Sequence, residues 1–117
     1  MLPDKKEKLL KYIQDALYAA NELQNSLSFK TFQDYHISGN RWIAERGIEI
    51  ISEALKRAIQ IEEHLLITDL KKLFATRNKI AHEYDFVDPY LLYYIVQNHI
   101  PVLITELNTC IKTLETT

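Results

Sequence analysis

Apolar residues recur along this 117-residue chain at alternating spacings of four and three, the period of one face of an α-helix. The clearest run is Leu9, Ile13, Ala16, Ala20, Leu23 and Leu27, which predicts a first helix of more than twenty residues. Asp4 followed by Glu7 resembles a capping box at its start. The pattern breaks between Ser28 and Ser38, where Phe29, Phe32 and Tyr35 are expected to pin the connection, or a short helix within it, onto the core. A second helix is predicted from about Asn40 to Glu62. Its stripe is Ile43, Gly47, Ile51, Ala54 and Ala58, widened by Ile48 and Leu55, so it should pack on two sides. Gly47 in mid-helix costs on the order of 1 kcal/mol against alanine, which close approach of another helix would offset.

Thr68 or Asp69 is expected to cap a third helix running to Ala81 or Tyr84, with Leu70, Leu73, Phe74, Arg77, Ala81 and Tyr84 in phase. Asp88-Pro89 reads as the N-cap and first residue of a fourth, striped by Tyr93, Val96, Ile100, Leu103, Leu107, Cys110 and Leu114, with a kink at Pro101. No repeat or long linker divides the chain, so residues 1–117 form one domain. The expected fold is all-α, an antiparallel bundle of four long helices plus a short connecting helix.

Composition narrows the class further. Only two glycines and three prolines are present, too few turn-formers for a many-stranded β fold. A single cysteine, Cys110, forms no internal disulfide and suits a reducing compartment. No apolar run approaches a membrane span, and the first eleven residues lack the apolar core of a signal peptide, so the expected address is cytoplasmic. A net charge of −2 sets up no global attraction for nucleic acid. Locally, however, residues 69–82 set Lys71, Lys72, Arg77 and Lys79 against the single acid Asp69.

The chemistry concentrates in Arg77-Asn78-Lys79-Ile80-Ala81-His82-Glu83-Tyr84. An arginine in an apolar stripe is costly unless it meets an anion, a ligand or another chain. Five residues separate Arg77 from His82, placing them about 140° apart on a straight helix. Either the helix frays near Ala81, or two copies of the segment face each other across a dimer axis. Asn78 and His82, at i and i+4, share a face, so Asn78 is placed to orient the imidazole. Metal-free RNA cleavage needs proton transfer at a 2′-OH and charge stabilisation at phosphorus. Histidine and arginine supply these functions, and a phenol such as Tyr84 can bind phosphate or stack on a base. The alternative is structural: Arg77 paired with Glu53 or Glu49, and His82 capping a helix C-terminus. His36, His64 and His99 lack ligand spacing, so no metal site is expected. Tyr90, Tyr93 and Tyr94 are a base-stacking platform or, more commonly for such clusters, core or interface.

The octapeptide resembles the R-x-x-x-x-H-x-Y signature of HEPN-superfamily ribonucleases, in particular the HepT toxins of HepT/MntA modules. Ile50-Ile51-Ser52-Glu53-Ala54-Leu55-Lys56 is similar to that family's I-G-E-A stretch, with Ser52 where glycine is common. Val87-Asp88 and the later Pro101-Val102-Leu103 also fit. The resemblance implies a HEPN-like homodimer whose two motifs face each other and form a metal-independent endoribonuclease without a cofactor. Arg77 and His82 would be catalytic, with Asn78, Tyr84 and Glu53 binding or orienting substrate. It further implies a growth-arresting toxin of a type VII-like toxin–antitoxin module, acting on cellular RNA. An MntA-like nucleotidyltransferase antitoxin would silence it by AMPylation of Tyr84. Two rivals remain at this level: an inactive helical partner of a minimal nucleotidyltransferase, and a purely structural dimerisation bundle.

Overall fold

The computed structural model describes residues 1–82 and 87–116, and over these it is an all-helical bundle. Helix α1 (Pro3–Leu27) leads through a 3-10 turn (Gln33–His36) to α2 (Ser38–Ile61), followed by α3 (Leu70–His82). The C-terminal helical column is α4 (Pro89–Tyr94), a π-helical turn (Ile95–His99) and α5 (Ile100–Glu115). The most extensive packing joins α1 to α2, then α1 to α5, with α3 laid against α2.

The six apolar positions of the first stripe, Leu9 to Leu27, are all buried, as are Ile48, Ile51, Ala54, Leu55 and Ala58 of α2. The helix starts differ from expectation. α1 begins at Pro3, with Leu2 as N-cap and no side-chain cap, so Asp4 and Glu7 form no capping box. Proline needs no partner for a missing N–H and is preset for a first helical turn, which draws the start forward. At α4 the expectation holds: Asp88 accepts a hydrogen bond from the Tyr90 N–H at 2.9 Å, with Pro89 next in line.

Gly47 has the predicted role. A Cβ there would lie 3.0 and 3.1 Å from the two methyl carbons of Leu23, so glycine lets α1 and α2 approach. In the α1–α2 connection, Tyr35 is wholly buried and donates to the Leu27 carbonyl at 3.4 Å. Phe32 is half-buried, but Phe29 is 71% exposed and pins nothing.

Thr68 does not cap α3. Its N–H and hydroxyl both donate to the Glu106 carboxylate of α5, which holds the α2–α3 connection down. Asp69 fills the entry position instead, its carbonyl accepting from Leu73 N at 3.0 Å and its backbone in the left-handed region at φ 59°. Aspartate tolerates that region better than most side chains. Pro101 disturbs the last column by widening it. The Ile100 N–H bonds to the Ile95 carbonyl five residues back, and this π turn makes room for a proline ring that would crowd the carbonyl of Gln97.

Candidate active site

α3 carries the motif, and its buried line is Leu73, Thr76 and Ile80. The expected line through Leu70, Phe74, Arg77 and Ala81 is thus corrected by roughly 100° of rotation about the helix axis. Burying Thr76 makes this possible, because its hydroxyl donates to the Lys72 carbonyl at 2.9 Å and so presents only its methyl to the core. Leu70 and Phe74 become half-buried flanks, and Ala81 is exposed.

The rotation leaves Arg77 half-buried rather than enclosed. It lines a groove of about 880 Å³ that runs between α1 and α2. Other walls of that groove are Tyr12, Asp15 and Tyr18 from α1, and Ile43, Ile50, Glu53 and Arg57 from α2. Three of the four acids there are spent locally, Lys11 on Asp15 at 3.1 Å, Arg46 on Glu49 at 3.7 Å and Arg57 on Glu53 at 3.8 Å, while Glu22 forms no ion pair among the described residues. Among the described residues Arg77 has no carboxylate within 4.0 Å, so the structural alternative of an Arg77–Glu53 or Arg77–Glu49 pair is not formed. Glu53 shares the groove with Arg77 but is directed to Arg57.

His82 is the last residue of α3 and is exposed, as is Asn78 one turn earlier. They share a face, as their spacing requires, though no hydrogen bond joins them. Helical geometry persists through His82, so the chain does not fray at Ala81 and the angular gap to Arg77 stands at about 140°. Within the chain the structure brings Arg77 to the groove and leaves His82 on the opposite, solvent side. Tyr84 lies outside the described residues.

One residue that sequence reasoning passed over supports this region. Arg41 donates from Nη2 to the Val87 carbonyl at 3.2 Å and pairs through Nε with Glu45 at 3.4 Å. It ties the chain just beyond the motif to α2. Burial pushes the Glu45 carboxyl up, and the Arg41 guanidinium opposes that shift. Nothing in the local pattern marked Arg41, because its carbonyl partner is 46 residues away.

The remaining singled-out groups have plainer places. His99 Nδ1 lies 3.3 Å from the Asp69 carboxylate, a structural role. Cys110 is buried, which pushes its thiol up. Among the described residues no three His, Cys, Asp or Glu side chains are gathered to hold a metal ion, and no helix is long and apolar enough to cross a membrane.

The described residues thus form an all-helical bundle with Arg77 in an inter-helix groove and His82 exposed on the same helix. The family model described as "Ribonuclease HepT-like" matches residues 13–110, and the chain belongs to that family. Membership makes RNA the substrate class and RNA cleavage the activity in general. Comparison with curated proteins and with solved structures returns no match.

Proposed function

We propose that this protein is the ribonuclease toxin of a toxin–antitoxin pair, a metal-independent endoribonuclease that works as a homodimer on cellular tRNA or mRNA. The observation that carries the reading is the divergence of Arg77 and His82 on one unbroken helix in a chain of the HepT-like family. A second copy seated on the α1–α2 groove resolves it, with Arg77 of one protomer and His82 of its partner serving one phosphate. The groove suits a two-fold contact. It exposes Tyr18, Ile43 and Ile50 at 70%, 37% and 41%, and each wall carries both cations and anions.

The chemistry follows from the residue types. His82 takes the proton of the substrate 2′-OH, whose oxygen attacks the adjacent phosphorus. The bond from phosphorus to the 5′ oxygen breaks, and the imidazolium returns the proton to that leaving oxygen. The products are a 2′,3′-cyclic phosphate and a 5′-hydroxyl end. Arg77 grips the phosphate oxygens at two points and offsets the charge gathered there. Asn78 orients the imidazole, Glu53 steadies the guanidinium side of the groove, and Tyr84 contacts substrate. Control acts on Tyr84. AMP attached there by an MntA-like nucleotidyltransferase adds phosphate charge where the RNA phosphate must sit.

Cleavage of end-labelled RNA in EDTA tests this reading. The wild type should cut, while Arg77→Ala and His82→Ala should fall by about 10²-fold or more with the fold retained. Arg77→Lys should also fail, because an ammonium lacks the planar two-point grip. A folded His82→Ala protein that cuts at the wild-type rate would end the assignment. So would a wild type that binds RNA and never cuts it, which would favour an inactive binding partner.

A further inference from the structure

Beyond the scissile phosphate, a ribonuclease must hold the RNA on either side, and one surface of this bundle has the chemistry for it. The solvent face of α3 carries Lys71, Lys72, Ala75, Asn78, Lys79 and His82, all exposed and all within an arc of about 120° at 100° per residue. α3 contains no acidic residue, and its exposed face holds no aliphatic side chain larger than alanine. That composition suits a phosphate backbone.

The lysine row continues into a set of linked rings. Lys72 Nζ stands 4.8 Å from the Tyr94 ring centroid. Tyr94 is stacked with Tyr90 at 6.4 Å and 28°, and Phe32 meets Tyr90 edge-on at 5.8 Å. Tyr90 is 56% exposed and Tyr94 36%, large aromatic surfaces left to solvent yet fixed in angle by their neighbours. Among the described residues, the nearby acids Asp69, Glu106 and Asp88 are turned to other work. Asp69 faces His99, Glu106 accepts from Thr68, and Asp88 caps Tyr90 N. The strip from Lys72 to His82 spans ten residues of helix, about 15 Å, which is room for several nucleotides.

We propose that this strip is a substrate-flank site for single-stranded RNA, with phosphates along Lys79, Lys71 and Lys72 and a base stacked on Tyr90. It rests on the reading of α3 as the cleavage helix. Stacking of this kind is tolerant of sequence, so the strip sets affinity and strand preference more than base choice. It favours unpaired RNA, because a duplex hides the base faces that Tyr90 would take.

The test is fluorescence anisotropy with a labelled 12-nucleotide single-stranded RNA in the uncut His82→Ala background, beside cleavage of a dinucleotide by the His82 protein. Tyr90→Ala should weaken 12-mer binding by at least about fivefold, and Tyr90→Phe should restore it. Lys72→Ala should lower the slope of log affinity against log salt by about 0.7. Cleavage of the dinucleotide, too short to reach Tyr90, should be unchanged by either substitution. Tyr90→Ala binding within twofold of its parent, with an unaltered salt slope in Lys72→Ala, would overturn the proposal while leaving cleavage intact. Failure of the wild type to cut any RNA, with binding still sensitive to Tyr90, would instead overturn the catalytic reading and keep the strip.

Discussion

Replacing Ser52 by alanine should make the protein more stable. Ser52 lies in α2 within the Ile50–Lys56 stretch that resembles the family segment, and its side chain is 1% exposed. Its hydroxyl oxygen has no hydrogen-bond partner, neither in its own helix nor across the core. A buried polar group left unpaired costs about 1–3 kcal/mol, all of which alanine relieves. Alanine also gains about 0.5 kcal/mol of helix propensity over serine. Against this stands the small void left by one oxygen atom, on the order of 1 kcal/mol at most. The balance favours Ser52→Ala by about 1 kcal/mol, which for a domain of this size raises Tm by about 3–6 °C. Urea unfolding followed by circular dichroism should show a higher midpoint with an unchanged slope. Ser52→Gly removes the same hydroxyl but adds about 1 kcal/mol of backbone entropy, so it should fall close to wild type. A Ser52→Ala protein less stable than wild type would refute the reasoning and show that the hydroxyl has a native partner.

Three further expectations follow from the packing. Gly47→Val should destabilise by about 1–3 kcal/mol, because branched atoms would press on Leu23 where even a Cβ sits at 3.0 Å, and a lowered urea midpoint would register it. Burial pushes the Tyr35 phenol up to about 12, so its ionisation should lag the other tyrosines in an absorbance titration at alkaline pH. A folded pKa above the unfolded one gives stability that is whole below about 10 and lost as pH rises towards 12, and Tyr35→Phe should remove that alkaline dependence. Cys110, buried and with its thiol pushed up, should resist a disulfide reagent at pH 8 in the native protein and react at once in denaturant.

The helices were legible because their apolar periodicity is a local signal. Leu9 to Leu27 and the Asp88-Pro89 start needed only neighbours in sequence. The face of α3 was not legible to the same degree, since hydropathy alone favours Leu70, Phe74 and Ala81 over a polar Thr76. Burial of Thr76 depends on a hydrogen bond back to Lys72, which no apolar pattern reports. The π turn likewise depends on how Pro101 is accommodated, where sequence shows only that a helix must yield. At the candidate site, the spacing of Arg77 and His82 foretold their divergence. Arg41 and the link from Lys72 to Tyr94 join distant segments and became visible only in three dimensions.

The central claim is that one catalytic centre draws Arg77 and His82 from different protomers, and mixing two inactive variants tests it most directly. Arg77→Ala and His82→Ala proteins are unfolded together, refolded at equal concentration and assayed on labelled RNA in EDTA. Each mixed dimer would hold one intact centre, Arg77 from one chain and His82 from the other. With random pairing about a quarter of wild-type activity should return. Activity no greater than the sum of the two variants assayed separately would contradict the account, because a centre built within one chain cannot be repaired by exchange.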